Sequence, residues 1–159
     1  MGSRAKDDKA YIAGFLDGDG SLMLQIKKRS DTSKGVRVMA TICFYQDTRH
    51  EETLFWIRKV LGIGYISKRN DGMTELRING FAQVARVISE LLPYIRFKKI
   101  QAKVLLEACT TLQEKRLSVL SSNARRKIIN FILEIQNENY KSKTRRSEEE
   151  LCQLFALTP

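Results

Sequence analysis

"AYIAGFLDGDGS", residues 10–21, joins an apolar run of small residues to two acids that alternate with glycines. The run has helical spacing, so Asp17 and Asp19 fall where a helix already carries negative partial charge and cations are favoured. Gly14 and Gly18 lie four apart, on one face of that helix. Glycine in a helix interior is less favourable than alanine by about 1 kcal/mol, so a pair at this spacing marks the close approach of another backbone. Nothing else in the chain repeats the pattern. The natural partner is the same helix of a second copy, related by a two-fold axis, and Ala13, Gly14, Asp17 and Gly18 are its expected contacts.

Such packing brings Asp19 close to its symmetry mate. Unit charges about 4 Å apart repel by roughly 4 kcal/mol at an effective dielectric near 20. A proton or a cation must intervene, and carboxylates with backbone carbonyls are hard oxygen ligands that suit Mg2+. An Asp-Gly turn closing a helix accounts for one such step, but not for the glycines inside the helix.

Working outward, residues 1–6 are expected to form a disordered polar tail, and Asp7 or Asp8 caps a helix that ends at Gly18. "SLMLQIKKR", 21–29, then alternates, with Leu22, Leu24 and Ile26 on one side and Ser21, Met23, Gln25, Lys27 and Arg29 on the other. After a polar loop, "VRVMATICFYQ" alternates likewise, setting Val36, Val38, Ala40, Ile42 and Phe44 against Arg37, Met39, Thr41, Cys43 and Tyr45. These two strands form a hairpin. "RHEETLFWIRKVLG" has helical spacing closed by Gly62, and a second hairpin turns at Asp71-Gly72, with Ser67, Arg69, Glu75 and Arg77 on its polar side. "FAQVARVISELL" is a helix stopped by Pro93. Helices follow at about 98–112 and 123–138, and Ser147 with Glu150 opens a last one as a capping box. The fold class is therefore α+β, an αββαββα core with an antiparallel sheet and added C-terminal helices. One domain covers 7–138, and 139–159 is a basic loop and helix belonging to it.

The chain has 159 residues and net charge +10, from 28 Lys and Arg against 18 Asp and Glu. That excess points to a polyanionic partner. No apolar run approaches a membrane span, so no membrane partner is expected. Three scattered cysteines form neither a disulfide framework nor a zinc site, and one histidine excludes multi-histidine metal centres. Buried thiols fit an intracellular, reducing compartment. No phosphate loop, nucleophile elbow or dinucleotide fingerprint is present, so neither a small-molecule enzyme nor an organic cofactor is indicated.

The polar faces of the strands collect Gln25, Lys27, Arg29, Arg37, Met39, Thr41, Cys43, Tyr45, Ser67, Arg69, Glu75 and Arg77. Cations mixed with amides, hydroxyls and an aromatic ring both neutralise phosphates and read base edges, and a β-ribbon fits the major groove. An antiparallel sheet can simply have one solvated face. Solvated faces usually mix both charge signs, whereas Glu75 is the single acid here.

"IAGFLDGDG", Ile12 to Gly20, resembles the signature of the LAGLIDADG homing endonucleases, specifically the single-motif members that act as homodimers. The order of elements resembles that family's core as well. The resemblance implies that Asp19 binds a catalytic metal, helped by the Gly18 carbonyl, with Mg2+ as the ion and Mn2+ able to substitute. It implies that Gln46 organises water near the scissile phosphate, that Lys98 supports developing charge, and that His50 takes the place of a basic residue. Lys143 and Thr144 are similar to residues that contact the DNA backbone near the cut. The implied activity is hydrolysis of both strands of a long pseudo-palindromic double-stranded DNA target, gripped by a saddle-shaped sheet, leaving short 3′ overhangs and initiating intron mobility. The implied location is a mitochondrion or chloroplast. The alternative is a catalytically silent nucleic-acid-binding protein or an intron RNA-splicing maturase on the same scaffold. His50 has a pKa suited to a general base, but relatives with arginine at that place could not use it so.

Overall fold

The computed structural model describes residues 2–28, 35–139 and 145–157. The chain runs α1 (Gly2–Asp19), β1 (Gly20–Lys28), β2 (Val36–Asp47), a 3-10 turn (Thr48–His50), α2 (Glu52–Leu61), β3 (Tyr65–Lys68), β4 (Met73–Asn79) and α3 (Phe81–Leu91). Then come α4 (Lys99–Glu114), α5 (Ser122–Glu138) and α6 (Glu148–Leu154), with a second 3-10 turn, Leu117–Val119, between α4 and α5. The expected α+β order of elements is present.

The first helix begins earlier than its sequence suggests. Residues 2–6 continue α1 instead of forming a tail, and Asp7 and Asp8 lie inside the helix instead of capping it. Arg4, Ala5, Lys6, Lys9 and Ala10 are good helix formers, and no proline or glycine interrupts them. Lys9 reaches Glu90 on α3 at 3.1 Å, and Tyr11 meets Trp56 on α2 edge to face at 5.5 Å. At its other end α1 passes into β1 without a loop. A Cβ on Gly20 would stand 2.8 Å from both the Cα and the carbonyl oxygen of Leu16, so only glycine allows this tight transition.

The sheet order is β1-β2-β4-β3, and every pairing is antiparallel. Leu22, Ile42 and Ile78 form one rung of the buried face, and Phe44, Leu76 and Ile66 another. Ile12, Ala13 and Leu16 from α1, Leu54 and Ile57 from α2, and Val84, Val87, Ile88 and Leu91 from α3 fill the same core. α2 ends as its sequence signals, at Gly62 with φ 68°. The C-terminal helices extend this core through Ala102, Leu105, Ile128, Ile132, Leu151 and Phe155. Ser147 and Glu150 form the expected capping box, and the Gln136 side chain bonds the backbone N–H and carbonyl of Arg146. Cys43, Cys109 and Cys152 are buried free thiols. No helix among the described residues is long and apolar enough to cross a membrane.

Candidate nucleic-acid interface and the end of the first helix

Register fixes what the open face of the sheet presents. Ser21 pairs with Cys43, which pairs with Arg77, which pairs with Tyr65. Tyr45, Glu75 and Ser67 form the neighbouring rung, and Met23, Thr41 and Asn79 the one on the other side. Gln25 opposes Met39, and Lys27 opposes Arg37 toward the hairpin tip. The described polar residues read as outward from the sequence therefore do share one face. Three of them are covered, however: Thr41, Cys43 and Glu75 are buried, where exposed contacts were expected. Thr41 lies between the longer Met23 and Asn79, Cys43 lies beside Arg77, and Glu75 is clasped by cations. Arg69 Nη1 stands 2.9 Å from Glu75 Oε1, and Arg77 Nε 3.4 Å from Oε2. Arg29, Lys143 and Thr144 lie outside the described residues.

Tyr65 and Asn79 were absent from the sequence candidates. The Thr41 hydroxyl donates to Asn79 Oδ1 at 2.8 Å, and Asn79 Nδ2 donates to the Tyr65 hydroxyl at 3.1 Å. Extending the alternation of the second hairpin by one step at each end would have found both. Burial pushes the Tyr45 phenol up to about 12 and raises the Cys43 thiol, so both keep their protons at neutral pH.

The two acids of the first motif have different surroundings. Asp19 is the last residue of α1 and is exposed, as is Gly18. Asp17, expected at a dimer contact, turns inward instead: its Oδ2 accepts the Arg96 N–H at 2.7 Å and its Oδ1 the Lys98 N–H at 3.0 Å. Ala13, also expected at that contact, is fully buried in the core. The helical period separates these two from Gly14 and Gly18, which face outward, with nothing within 4 Å of a Cβ built on either.

The Lys98 ammonium donates to the Asp17 carbonyl. Burial lowers the Lys98 pKa, opposed by the charges of Asp17 and Asp19. Gln46 lies at the same end of the sheet, because β1 starts opposite Phe44 and Gln46 is two residues farther along β2. Its Oε1 accepts the Asp47 N–H at 2.8 Å. His50 is exposed at the end of the 3-10 turn. That turn is fixed from two sides: Arg49 donates to both Asp47 carboxylate oxygens, which holds the Asp47 carboxyl well below the usual range, and the Thr48 N–H donates to the Gly72 carbonyl.

The donor set at the end of α1 fits a hard divalent cation. Asp19 supplies an exposed carboxylate, and the carbonyls that close a helix have no intrahelical donors. Among the described residues no group of three or more His, Cys, Asp or Glu is placed to hold a metal.

Residues 12–105 match the LAGLIDADG endonuclease family. The chain is 38% identical over 98 residues to DNA endonuclease I-CvuI of Chlorella vulgaris, covering 62% of this chain and 61% of that protein. It is 26% identical over 102 residues to DNA endonuclease I-CreI of Chlamydomonas reinhardtii, covering 64% and 62%. These matches thus span about three fifths of the relatives' own lengths. The structure superposes on the crystal structure of I-CvuI in complex with its target in the presence of calcium, with TM-score 0.84 and 26% identity over 98% of this chain and 99% of that one.

Proposed function

Because the chain belongs to the LAGLIDADG endonuclease family, we propose that it is a site-specific homing endonuclease that hydrolyses both strands of double-stranded DNA. The observation that carries this reading is the convergence at the end of α1, where the Asp17 carbonyl holds the Lys98 ammonium and the exposed Asp19 carboxylate follows two residues later. Asp19 and the Gly18 carbonyl hold the metal, Mg2+ or in its place Mn2+. When bound there, a divalent cation would supply charge neutralisation at the phosphate and would lower the pKa of water. Lys98 offsets charge that develops on the phosphate. Gln46, whose carbonyl oxygen is occupied by Asp47, directs its amide hydrogens to a phosphate oxygen or to water. His50 contacts phosphate and is not the general base.

The open sheet face lies in the major groove. Gln25, Lys27, Arg29, Arg37 and Met39 serve the outer part of the site, and Tyr45, Ser67, Arg69 and Arg77 the inner part. Thr41, Cys43 and Glu75 act from beneath them, and Lys143 and Thr144 contact the backbone. The functional unit is a homodimer joined through the Gly14 and Gly18 face of α1, which fits a long pseudo-palindromic target cut to short 3′ overhangs. Exposed Tyr11 on α1, at 57%, and Phe97, at 86%, support burial against a second copy. Intron mobility, and residence in a mitochondrion or chloroplast, belong to the same reading.

The test is selection of a cleavable site from a DNA library, followed by comparison of wild type with Asp19→Asn. The variant is expected to bind the site in Ca2+ and to leave it uncut in Mg2+. Cutting at the wild-type rate would sink the metal assignment. Specific binding by the wild type without cleavage in Mg2+ or Mn2+ would leave only the silent binding module.

A further inference from the structure

A carboxylate in the last turn of a helix opposes the helix dipole, so Asp17 needs a compensating partner. Its partners lie in the segment between α3 and α4. Asp17 is only 8% exposed and takes the N–H groups of Arg96 and Lys98 on its two carboxylate oxygens. Lys98 directly precedes α4, a helix that has no side-chain cap of its own at that end. The negative end of α1 is thus joined to the positive end of α4 through one carboxylate. The Lys98 side chain then returns to the same residue and donates its ammonium to the Asp17 carbonyl.

Lys98 is consequently held at two points by Asp17, through its backbone N–H and through its Nζ. A lysine stem has four rotatable carbons, and closing it into a ring of contacts fixes where its charge stands. Asp19 follows two residues later on the same backbone. We propose that Asp17 is a positioning residue that sets the place of the Lys98 ammonium relative to the Asp19 carboxylate. This rests on the roles given above to Lys98 and Asp19. Asp17 itself touches neither metal nor DNA.

A double-mutant cycle tests it, using the full chain with Asp17→Asn, Lys98→Met and the combined variant. Asn keeps one acceptor but turns an amide N–H toward a backbone N–H. Affinity for the target is measured in Ca2+ and single-turnover cleavage in Mg2+. Asp17→Asn is expected to slow cleavage by roughly tenfold to a hundredfold while affinity stays within about twofold. In the Lys98→Met background the same change is expected to have almost no further effect.

Slowing by independent, multiplying factors would reduce Asp17 to a structural role and overturn the inference. Wild-type cleavage by Lys98→Met would instead overturn the Lys98 assignment, and the proposal with it. Asp17→Glu is run alongside in case Asp17→Asn does not fold. It keeps the charge and both acceptors one methylene out of place, and it is expected to bind and to cut slowly. Cutting at the wild-type rate by that variant also refutes the proposal.

Discussion

Glu75 lies under the cations of the sheet face, with Arg69 on one oxygen and Arg77 beside the other. Each guanidinium is therefore partly neutralised and fixed in direction before any phosphate arrives. Glu75→Gln removes that restraint and frees Arg77 for less selective phosphate contact, while Arg69 keeps its ion pair with Asp71 at 2.8 Å. Affinity for random DNA should rise, and the plot of log K against log salt should steepen by about 0.9 for each phosphate newly neutralised. Fluorescence anisotropy at several salt concentrations measures this, and an unchanged slope would show that Arg77 stays away from the backbone. The alternation of the strands already placed Glu75 on this face, because a period of two needs only the order of residues. It could not show that Thr41 and Cys43 are covered, since that depends on which strand lies beside which and on the reach of Met23, Asn79 and Arg77. Asp17 was misplaced for a similar reason. Its partners are backbone N–H groups about 80 positions away, and backbone groups leave no mark in a sequence.

Between β2 and α2, the 3-10 turn that carries His50 is tied to the second hairpin through a buried hydroxyl. Thr74 Oγ1 donates to Glu51 Oε2 at 2.7 Å and lies 3.0 Å from the Thr48 hydroxyl, while Lys68 reaches Glu51 Oε1 at 3.0 Å. Thr74→Val keeps the shape but deletes these bonds, and should lower stability by about 1–3 kcal/mol. The Glu51 pKa is lowered, first by the bond from Thr74 and then by the one from Lys68. A folded pKa below the unfolded one stabilises at neutral pH, and that contribution is lost as pH falls through the folded value. The gap between wild type and Thr74→Val should therefore narrow from neutral pH to about pH 3, measured by urea denaturation at each pH. A gap of constant width would remove Glu51 from the network. The elements involved were legible from periodicity, Gly62 and the Asp71-Gly72 turn. The start of α1 was not, because Asp7 and Asp8 imitate a cap, while the residues before them are equally content in a helix.

At the scale of the whole molecule, the unresolved balance is one of charge and coordination. A chain of net charge +10 carries the exposed carboxylate of Asp19 at the end of α1, where the helix end is itself negative and favours a cation. Two copies meeting through α1 would double the carboxylates and line up with the two strands of a duplex. Gly14 allows that meeting, since a Cβ there points into open space within one chain. Gly14→Leu should thus leave the protomer folded, even favour its helix by the glycine penalty of about 1 kcal/mol, and yet block the close approach of two helices. Sedimentation velocity should show dimer for the wild type and monomer for the variant, with thermal unfolding of the protomer undiminished. Cleavage in Mg2+ should be lost together with the dimer, although Asp19, Gln46 and Lys98 are all intact. A variant that stays dimeric places the contact elsewhere on the surface, and one that is monomeric yet cuts both strands shows that a single helix end suffices.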